Sequence, residues 1–376
     1  MNLIMFYICV LAATYSYCWY PVILLILPHR KIQRSVPIHV SKVAMVIAAR
    51  NEATAIAEKL DNSLALNRAG IELDVMVASD ASDDATDDIV RSYASRGVRL
   101  VRSQVRRGKE YAQKLAVATT DADLIVFTDA GTFLPQDALI HVMDAFRDPN
   151  VGAVSSVDRF ITADGTLQGE GAYVRYEMWL RDLETRFHTL VGLSGSFFAA
   201  RRSVCQKWDN RVPSDFGTAL SCADLGLQAV SDRRITGYYK NIADNRREYQ
   251  RKVRTVTRGM NALRIHAGVL NPVRYGRFSF EVFSHKLMRW GTPWFLIGAL
   301  CSSAVHAFQS RTFEILLAIQ LAVYLAPAAV RIAPGLRKIG LVRIVVYFVE
   351  VNIAILHATV LVISGRTILT WEPSKR

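Results

Sequence analysis

Three aspartates set the chemical question this chain poses: Asp80, Asp129 and Asp215. Asp80 ends the apolar run "LDVMVASD" (73–80), and Asp129 ends "LIVFTD" (124–129). A carboxylate at the tip of a parallel strand packs poorly, but it is well placed for ligands, which open α/β sheets bind at the carboxyl edge of their strands. A third run, "VAMVIAA" (43–49), ends at Arg50-Asn51-Glu52. Any one such acid is equally well explained as the N-cap of the next helix. Several polar strand ends in one sheet point instead to a shared crevice. Arg106-Arg107-Gly108-Lys109 opens a helix and adds cations to a helix N-terminus, a combination suited to phosphates, although a solvated basic loop is the plain alternative. Asp215, in "RVPSDFGTAL", reads locally as a helix N-cap.

The elements that must position these groups alternate. Between about residues 40 and 240, strand-like runs at 43–49, 73–80, 98–103 and 124–129 are each followed by a helical pattern. The first helix is expected to start at Arg50-Asn51-Glu52. The second, "DDATDDIVRSYASRG", crowds acids into its first turn and stops at Gly97. Such alternation implies a covered, mostly parallel sheet. No G-x-G-x-x-G and no G-x-x-x-x-G-K-[ST] is present, so neither a dinucleotide fingerprint nor a P-loop is supported.

The 376 residues are 51% hydrophobic with a net charge of +13, which points to membrane segments and an anionic partner: lipid headgroups, nucleic acid or a phosphate-bearing substrate. Leu3 to Leu27 holds no charged residue and is long enough to span a bilayer; a cleaved signal would need a basic head and a shorter apolar core. Further spans are expected at Gly291–Phe308, Phe313–Val330 and Ile344–Ser364. Basic residues follow the first span (His29, Arg30, Lys31, Arg34), precede the second (Lys286, Arg289) and separate the third from the fourth (Arg331, Arg337, Lys338, Arg343). With alternating spans these lie on one side, placing the middle of the chain in the cytoplasm and the protein in the plasma (inner) membrane. Arg366, Lys375 and Arg376 fall on the opposite side from the rule. Five cysteines without a C-x-x-C pair argue against a disulfide framework or a zinc site. The basic residues cluster at span ends and near the proposed phosphate site rather than along an aromatic stripe, so a nucleic-acid partner is not expected.

"AARNEA", "ASDASDDAT", "RRGK", "FTDAGT", "LSGSFFAARR" and "VPSDF", in that order and spacing, resemble the family 2 glycosyltransferases with a GT-A fold, in their membrane-embedded polysaccharide-synthase-like branch. The resemblance implies an α/β, Rossmann-like domain over residues 40–280, an N-terminal transmembrane helix within 1–28 and about three C-terminal ones within 285–366. It implies an inverting transferase that uses a nucleotide-sugar donor, a UDP-sugar first, and a polysaccharide or lipid-linked glycan acceptor. Ala49, Asn51, Glu52, Asp80 and Lys109 would line the nucleotide. Asp129 would be the first acid of the family's D-x-D signature, holding Mg2+ or Mn2+ against the diphosphate. Gly131 occupies the second acid's place; magnesium, which keeps several waters, tolerates that loss. Asp215 matches the family's general base, and Ser194, Gly195 and Ser196 its acceptor pocket.

Other features carry weaker signals. Gly192-Leu193-Ser194-Gly195-Ser196 is not G-x-S-x-G, which disfavours a serine hydrolase. In "EGAYVRYEMWLRDLETRF" (170–187), Tyr173, Tyr176, Trp179, Leu180 and Phe187 share a helical face, as a core helix or one lying at the membrane surface. Arg254 and Arg258 lie i, i+4 in "EYQRKVRTVTRG" and could clamp a diphosphate, or form a solvated face. The processive family members' Q-x-x-R-W tryptophan is missing from this region. Glu350, Asn352 and His357 sit inside the last span, where polar groups line a path or bond helix to helix. Two alternatives stand beside the leading reading: a transferase that loads one sugar onto a polyprenyl phosphate, and a catalytically inactive membrane scaffold. Export or polymerisation partners would complete a polymer-making role.

Overall fold

The computed structural model describes residues 3–33, 40–68, 70–161, 171–240 and 245–365. Arg34, Arg366, Lys375 and Arg376, used above to orient the spans, lie outside the described residues. Helix α1, Leu3–Ile26, leads into a seven-stranded sheet of order β3-β2-β1-β4-β6-β5-β7. Its strands are β1 (Lys42–Ala49), β2 (Glu72–Ser79), β3 (Val98–Arg102), β4 (Leu124–Asp129), β5 (Val151–Ile161), β6 (Phe197–Arg201) and β7 (Gln228–Lys240). Parallel pairing runs through β3, β2, β1 and β4, and again between β5 and β7; β6 alone is reversed, against both β4 and β5.

The near-continuous apolar strands reflect a sheet covered on both faces. In β1, Val43, Met45, Ile47 and Ala49 enter one core, and Ala44 and Val46 enter the other. This is the period-2 alternation of a strand with apolar side chains on each side. The first core is closed by α2 (Ile56–Leu64), α3 (Thr86–Ser92) and α5 (Ala138–Ala145), through Ile56, Leu60, Val90, Leu139 and Val142. The second is closed by α4 (Lys109–Ala118) and α7 (Ser214–Asp224), through Ala112, Ala116, Ala219 and Cys222. Phe127 lies 4.8 Å from Phe198 and 4.7 Å from Trp208, ring centre to ring centre, binding β4, β6 and the turn after β6 together. The helix expected at Arg50 begins instead at Ile56; Asn51 adopts a left-handed conformation (φ 53°) and turns the chain first.

The aromatic helix α6 (Ala172–Phe187) joins this domain to the apolar helices. Leu180, Leu183 and Phe187 pack on Tyr20 and Leu24 of α1. Tyr176 donates to the Tyr17 carbonyl, and the Tyr173 ring meets that of Tyr347. The face is therefore covered only in part, with Leu180 and Phe187 buried, Tyr173 and Tyr176 half-buried and Trp179 exposed, and it packs against the apolar helices as well as the domain.

After α8 (Asn245–Ile265), α9 (Arg277–Val282) continues through a wide turn at Phe283–Leu287 into α10 (Met288–Ala307). Helices α11 (Arg311–Ile332) and α12 (Gly340–Ile363) complete the described chain. Among the described residues, three helices are long and apolar enough to cross a membrane: α1, α11 and α12. The span expected at Gly291–Phe308 is not among them. Helix α10 packs along α1, but its sequence is diluted by Arg289, Gly291, Thr292, Pro293, Ser302, Ser303 and His306, which lowers its apolarity. Among the described residues the C-terminal candidates by length and composition are thus two, where about three were expected. Within α12, His357 Nδ1 is 3.2 Å from the Tyr249 hydroxyl of α8, and Asn352 donates to the Phe348 carbonyl, so these two polar groups bond helix to helix and back onto the helix itself.

Candidate active site

A cavity of about 510 Å³ opens at the carboxyl edge of β4, between the sheet, α6, α7, α8 and the start of α10. Lys109, Asp129, Gly195, Ser196, Asp215, Arg254 and Arg258 all line it. Residues from five separate stretches of sequence therefore meet in one space. Ala49, Asn51, Glu52, Asp80 and Ser194 do not line it.

Asp80 is buried, and its two carboxylate oxygens accept the backbone N–H groups of Arg107 (2.8 Å) and Gly108 (2.9 Å). It therefore fixes the loop that delivers Lys109. The Lys109 ammonium in turn donates to Asp129 Oδ1 (2.5 Å) and to the Gly195 carbonyl (2.8 Å). Two expected site residues are linked in series rather than side by side. Asn51 is held by Asp83: its amide donates to Asp83 Oδ1 at 2.5 Å and its oxygen accepts the Asp83 N–H at 3.0 Å, while Arg50 pairs with the same carboxylate at 2.8 Å. The Glu52 N–H donates to the Thr86 hydroxyl. The 49–52 and 80–86 segments thus brace one another beside the cavity. Ala81 takes a left-handed φ of 54° there, a strain of about 1 kcal/mol for a residue with a Cβ.

Asp129 caps β4 with its N–H donated to the Ser196 carbonyl, and its own carbonyl accepts the Thr132 N–H, closing a tight turn through Gly131. Beneath this turn lies Lys59 of α2, fully buried, its ammonium donating to the Thr132 carbonyl at 2.6 Å. Burial lowers the Lys59 pKa to about 7, partly opposed by the Asp129 charge. Between that value and the unfolded value near 10.5, the unfolded chain binds a proton that the folded one does not, so stability rises with pH. The stability contribution is complete above the unfolded pKa and is lost as pH falls through 7. Wild type should therefore gain on Lys59→Met as pH is raised from about 7 to about 10, by up to about 1.4 kcal/mol per pH unit. Denaturation curves of both proteins at several pH values test this; parallel curves refute it.

Asp215 lies in the first turn of α7. Its Oδ1 accepts the adjoining Phe216 N–H at 2.7 Å from inside the helix; the N-cap position is Pro213, so Asp215 is not the N-cap its local sequence suggests. Its Oδ2 lies 3.2 Å from the point a Cβ on Gly195 would occupy. Gly195 therefore keeps the space beside that oxygen open. Gly195→Ala should displace the Asp215 carboxylate by a few tenths of an ångström and lower the rate of any chemistry at Oδ2 by about tenfold to a hundredfold, given how steeply rates depend on reacting geometry. Equal rates and unchanged stability for Gly195→Ala would refute it.

Several cavity residues were not picked out from the sequence as site candidates. Asp158, from the far part of β5, accepts hydroxyl hydrogen bonds from Ser156 (3.2 Å), Ser194 (2.7 and 2.6 Å) and Ser196 (2.6 Å). Two of the serines assigned to an acceptor pocket thus hold a carboxylate. The signal was a charged residue inside the apolar run "VGAVSSVD", where β5 also slips register between Ser155 and Val157. Glu110 pairs with Arg258 at 2.6 Å and ties α8 to α4. Trp290 of α10 lines the cavity, 3.1 Å from where a Gly259 Cβ would sit. A tryptophan is therefore present at the cavity wall, supplied by α10 rather than by the 252–259 stretch.

Residues 44–209 match the family model Glycosyl transferase family 2. A beta-monoglucosyldiacylglycerol synthase of Nostoc sp. is 26% identical over 195 residues, covering 50% of this chain and 41% of that protein. A poly-beta-1,6-N-acetyl-D-glucosamine synthase of Staphylococcus aureus is 26% identical over 167 residues, covering 43% of this chain and 40% of that protein. The alignments thus span less than half the length of these curated relatives. Among solved structures, the mannosyltransferase PcManGT from Pyrobaculum calidifontis, in complex with GDP-Man and Mn2+, superposes with a TM-score of 0.72 at 21% identity, over 96% of this chain and 98% of that one. That likeness extends the shared fold from the domain to the flanking helices.

Proposed function

We propose, from the match of residues 44–209 to the glycosyl transferase family 2 model, that this membrane protein moves a sugar from a nucleotide-sugar donor to a glycan or lipid-linked acceptor, with inversion at the anomeric carbon. The observation that carries the reading is the placement of Asp129 and Asp215 in one cavity, with Lys109, Arg254 and Arg258 around them. In the proposed reaction, an acceptor hydroxyl oxygen bonds to the anomeric carbon as the carbon–oxygen bond to the donor diphosphate breaks. The hydroxyl proton passes to Asp215 Oδ2, the carboxylate oxygen facing Gly195. Lys109 and the arginines of α8 face the departing diphosphate, where negative charge develops.

The donor set suits a divalent cation. Asp129 presents its carboxylate to the cavity, and one carboxylate completed by phosphate oxygens and water is an ordinary magnesium arrangement. When bound, such an ion supplies charge neutralisation for the leaving diphosphate. Among the described residues no group of three or more His, Cys, Asp or Glu side chains gathers as a self-sufficient metal site. The relative of known structure holds GDP-Man and Mn2+, so Mn2+ is the ion to test first, and GDP-sugars join UDP-sugars in the screen. Basic residues at the inner ends of the apolar helices support a catalytic domain on the cytoplasmic side of the plasma membrane.

The test is thermal stabilisation of the purified protein by a panel of nucleotide sugars with Mn2+, followed by release of the nucleoside diphosphate from the best ligand. One donor is expected to stabilise and turn over. No stabilisation by any donor and no release would leave the scaffold reading in its place. With radiolabelled donor, a ladder of products marks chain building and a single added residue marks one-step transfer.

A further inference from the structure

We propose that the membrane-facing end of the cavity binds the phosphate group of a lipid-borne acceptor between Lys286 and Arg181. This rests on the transferase reading and names the chemistry of its acceptor. Both side chains line the cavity together with Asp215, Gly192 and Trp290.

The pairing of charges singles these two cations out. Arg289 is matched by Glu177 at 2.7 Å, while Glu184 is hydrogen-bonded by His285 Nδ1 at 2.5 Å and by the Tyr20 hydroxyl. On the donor side, Lys109 is matched by Asp129 and Arg258 by Glu110. Asp158 faces this region too, but three serine hydroxyls occupy it, and Asp215 Oδ1 is taken by a backbone N–H. Among the described residues, neither Arg181 nor Lys286 forms a salt bridge. Arg181 donates through one terminal nitrogen to the Ser155 hydroxyl, while its buried Nε has no hydrogen-bond partner. The Lys286 ammonium lies 5.7 Å from the Phe216 ring centre and 3.6 Å from where a Gly192 Cβ would stand. A glycine at 192 leaves that ammonium room to meet a ligand.

Depth identifies where the ligand comes from. The Ser284 hydroxyl, two residues before Lys286, bonds the Tyr15 hydroxyl at 2.9 Å. Arg289, three residues after it, reaches the Ser16 hydroxyl and lies over the Tyr17 ring. Tyr15 to Tyr17 lie roughly 14–17 Å along α1 from its end at Ile26. Since the hydrocarbon core is ~30 Å thick, this end of the cavity lies within the bilayer's depth rather than above it. The carboxylates of Asp158, Glu177, Glu184 and Asp215 attract Arg181 through space, and the last three attract Lys286, but none is in contact with either cation. Ionisable groups at such a depth are ordinarily paired in contact. A guanidinium and an ammonium converging on one space suit a phosphate, and a phosphate at that depth is carried by a lipid. A neutral diglyceride would leave both cations without an anion in contact.

Detergent-solubilised wild type, Lys286→Met and Lys286→Arg are compared for shifts in Tm with phosphatidic acid, with diacylglycerol and with inorganic phosphate. Nucleotide sugar plus Mn2+ serves as the donor-side control. Phosphatidic acid should raise the wild-type Tm by several degrees and diacylglycerol should not. Lys286→Met should lose most of that shift, Lys286→Arg should keep it, and both should keep the donor shift. Equal shifts with diacylglycerol, or a full phosphatidic acid shift in Lys286→Met, overturn the proposal; an equal shift with inorganic phosphate overturns its lipid source. Native mass spectrometry of wild type, which needs no variant, should show co-purified phospholipid, and retention of neutral lipid alone overturns it. A lipid shift that tracks Lys286 without any donor shift supports the subsite while removing the transferase reading.

Discussion

Asp215→Asn should abolish sugar transfer to within measurement of background, with kcat lowered by about 10²- to 10⁴-fold, the range expected for loss of a general base, while donor binding is unchanged. The substitution is close to isosteric. The amide oxygen can still accept the Phe216 N–H that Oδ1 accepts at 2.7 Å, so α7 keeps its first-turn bond. The Leu193 N–H still meets the Asp215 carbonyl, because that contact is made by the backbone. What disappears is the proton-accepting oxygen beside Gly195. An interaction made only in the transition state lowers kcat and kcat/KM together, so the measurement is steady-state transfer kinetics beside nucleotide-sugar binding by calorimetry. Loss of activity with a matching loss of donor affinity would mean that Asp215 binds the donor instead. Full activity would assign the base elsewhere. The Gly195→Ala variant should fall between Asp215→Asn and wild type, since it misplaces the same oxygen without removing it.

How much of this could be read before the coordinates follows from the range over which each signal acts. Strands β1, β2 and β4 were legible because each is a short apolar run closed by polar residues and largely buried on both faces, as a covered parallel sheet requires. The edge strand β3 carries two arginines and is only partly covered. Asp129 and Asp215 were legible through the ordered motifs around them, and Lys109 through its basic loop. Pattern could not show that Asp80 spends both oxygens on Arg107 and Gly108, because that bond depends on how a loop 27 to 28 residues away returns. Nor could it show Asp158 within its ring of serines, which β5 and the 194–196 segment assemble only after β6 reverses between them. In the sequence, the charged residues of α6 only lie off its aromatic face, and Lys286 and Arg289 only precede an expected span. The Glu177–Arg289 pair and the Tyr20–Glu184 bond, at the depth of Tyr15–Tyr20, exist only once α1 packs against both helices. Periodicity states which face is apolar; it does not state what covers it.

Asp129→Asn is expected to produce the second large loss, about 10²- to 10³-fold in kcat, accompanied by loss of the metal-dependent part of donor affinity. The reason lies in the charge at the end of β4. Asp129 offers an anion to the cavity, and Lys109 lies against its Oδ1 at 2.5 Å. An asparagine cannot neutralise that ammonium, and with its NH2 turned toward Lys109 it would set donor against donor. The backbone bonds of the turn, from Asp129 N–H to the Ser196 carbonyl and from Thr132 N–H to the Asp129 carbonyl, are independent of the side chain. The fold should therefore survive. With Gly131 in place of a second acid, no neighbouring carboxylate in the turn can take over. Titrating Mn2+ against nucleotide-sugar binding separates the possible origins of the loss. In wild type the affinity should rise with Mn2+ and reach a plateau. In Asp129→Asn it should remain at the metal-free level that Lys109 and the α8 arginines provide. An identical Mn2+ response in the two proteins would remove Asp129 from the metal and leave it as the partner that holds Lys109 in place.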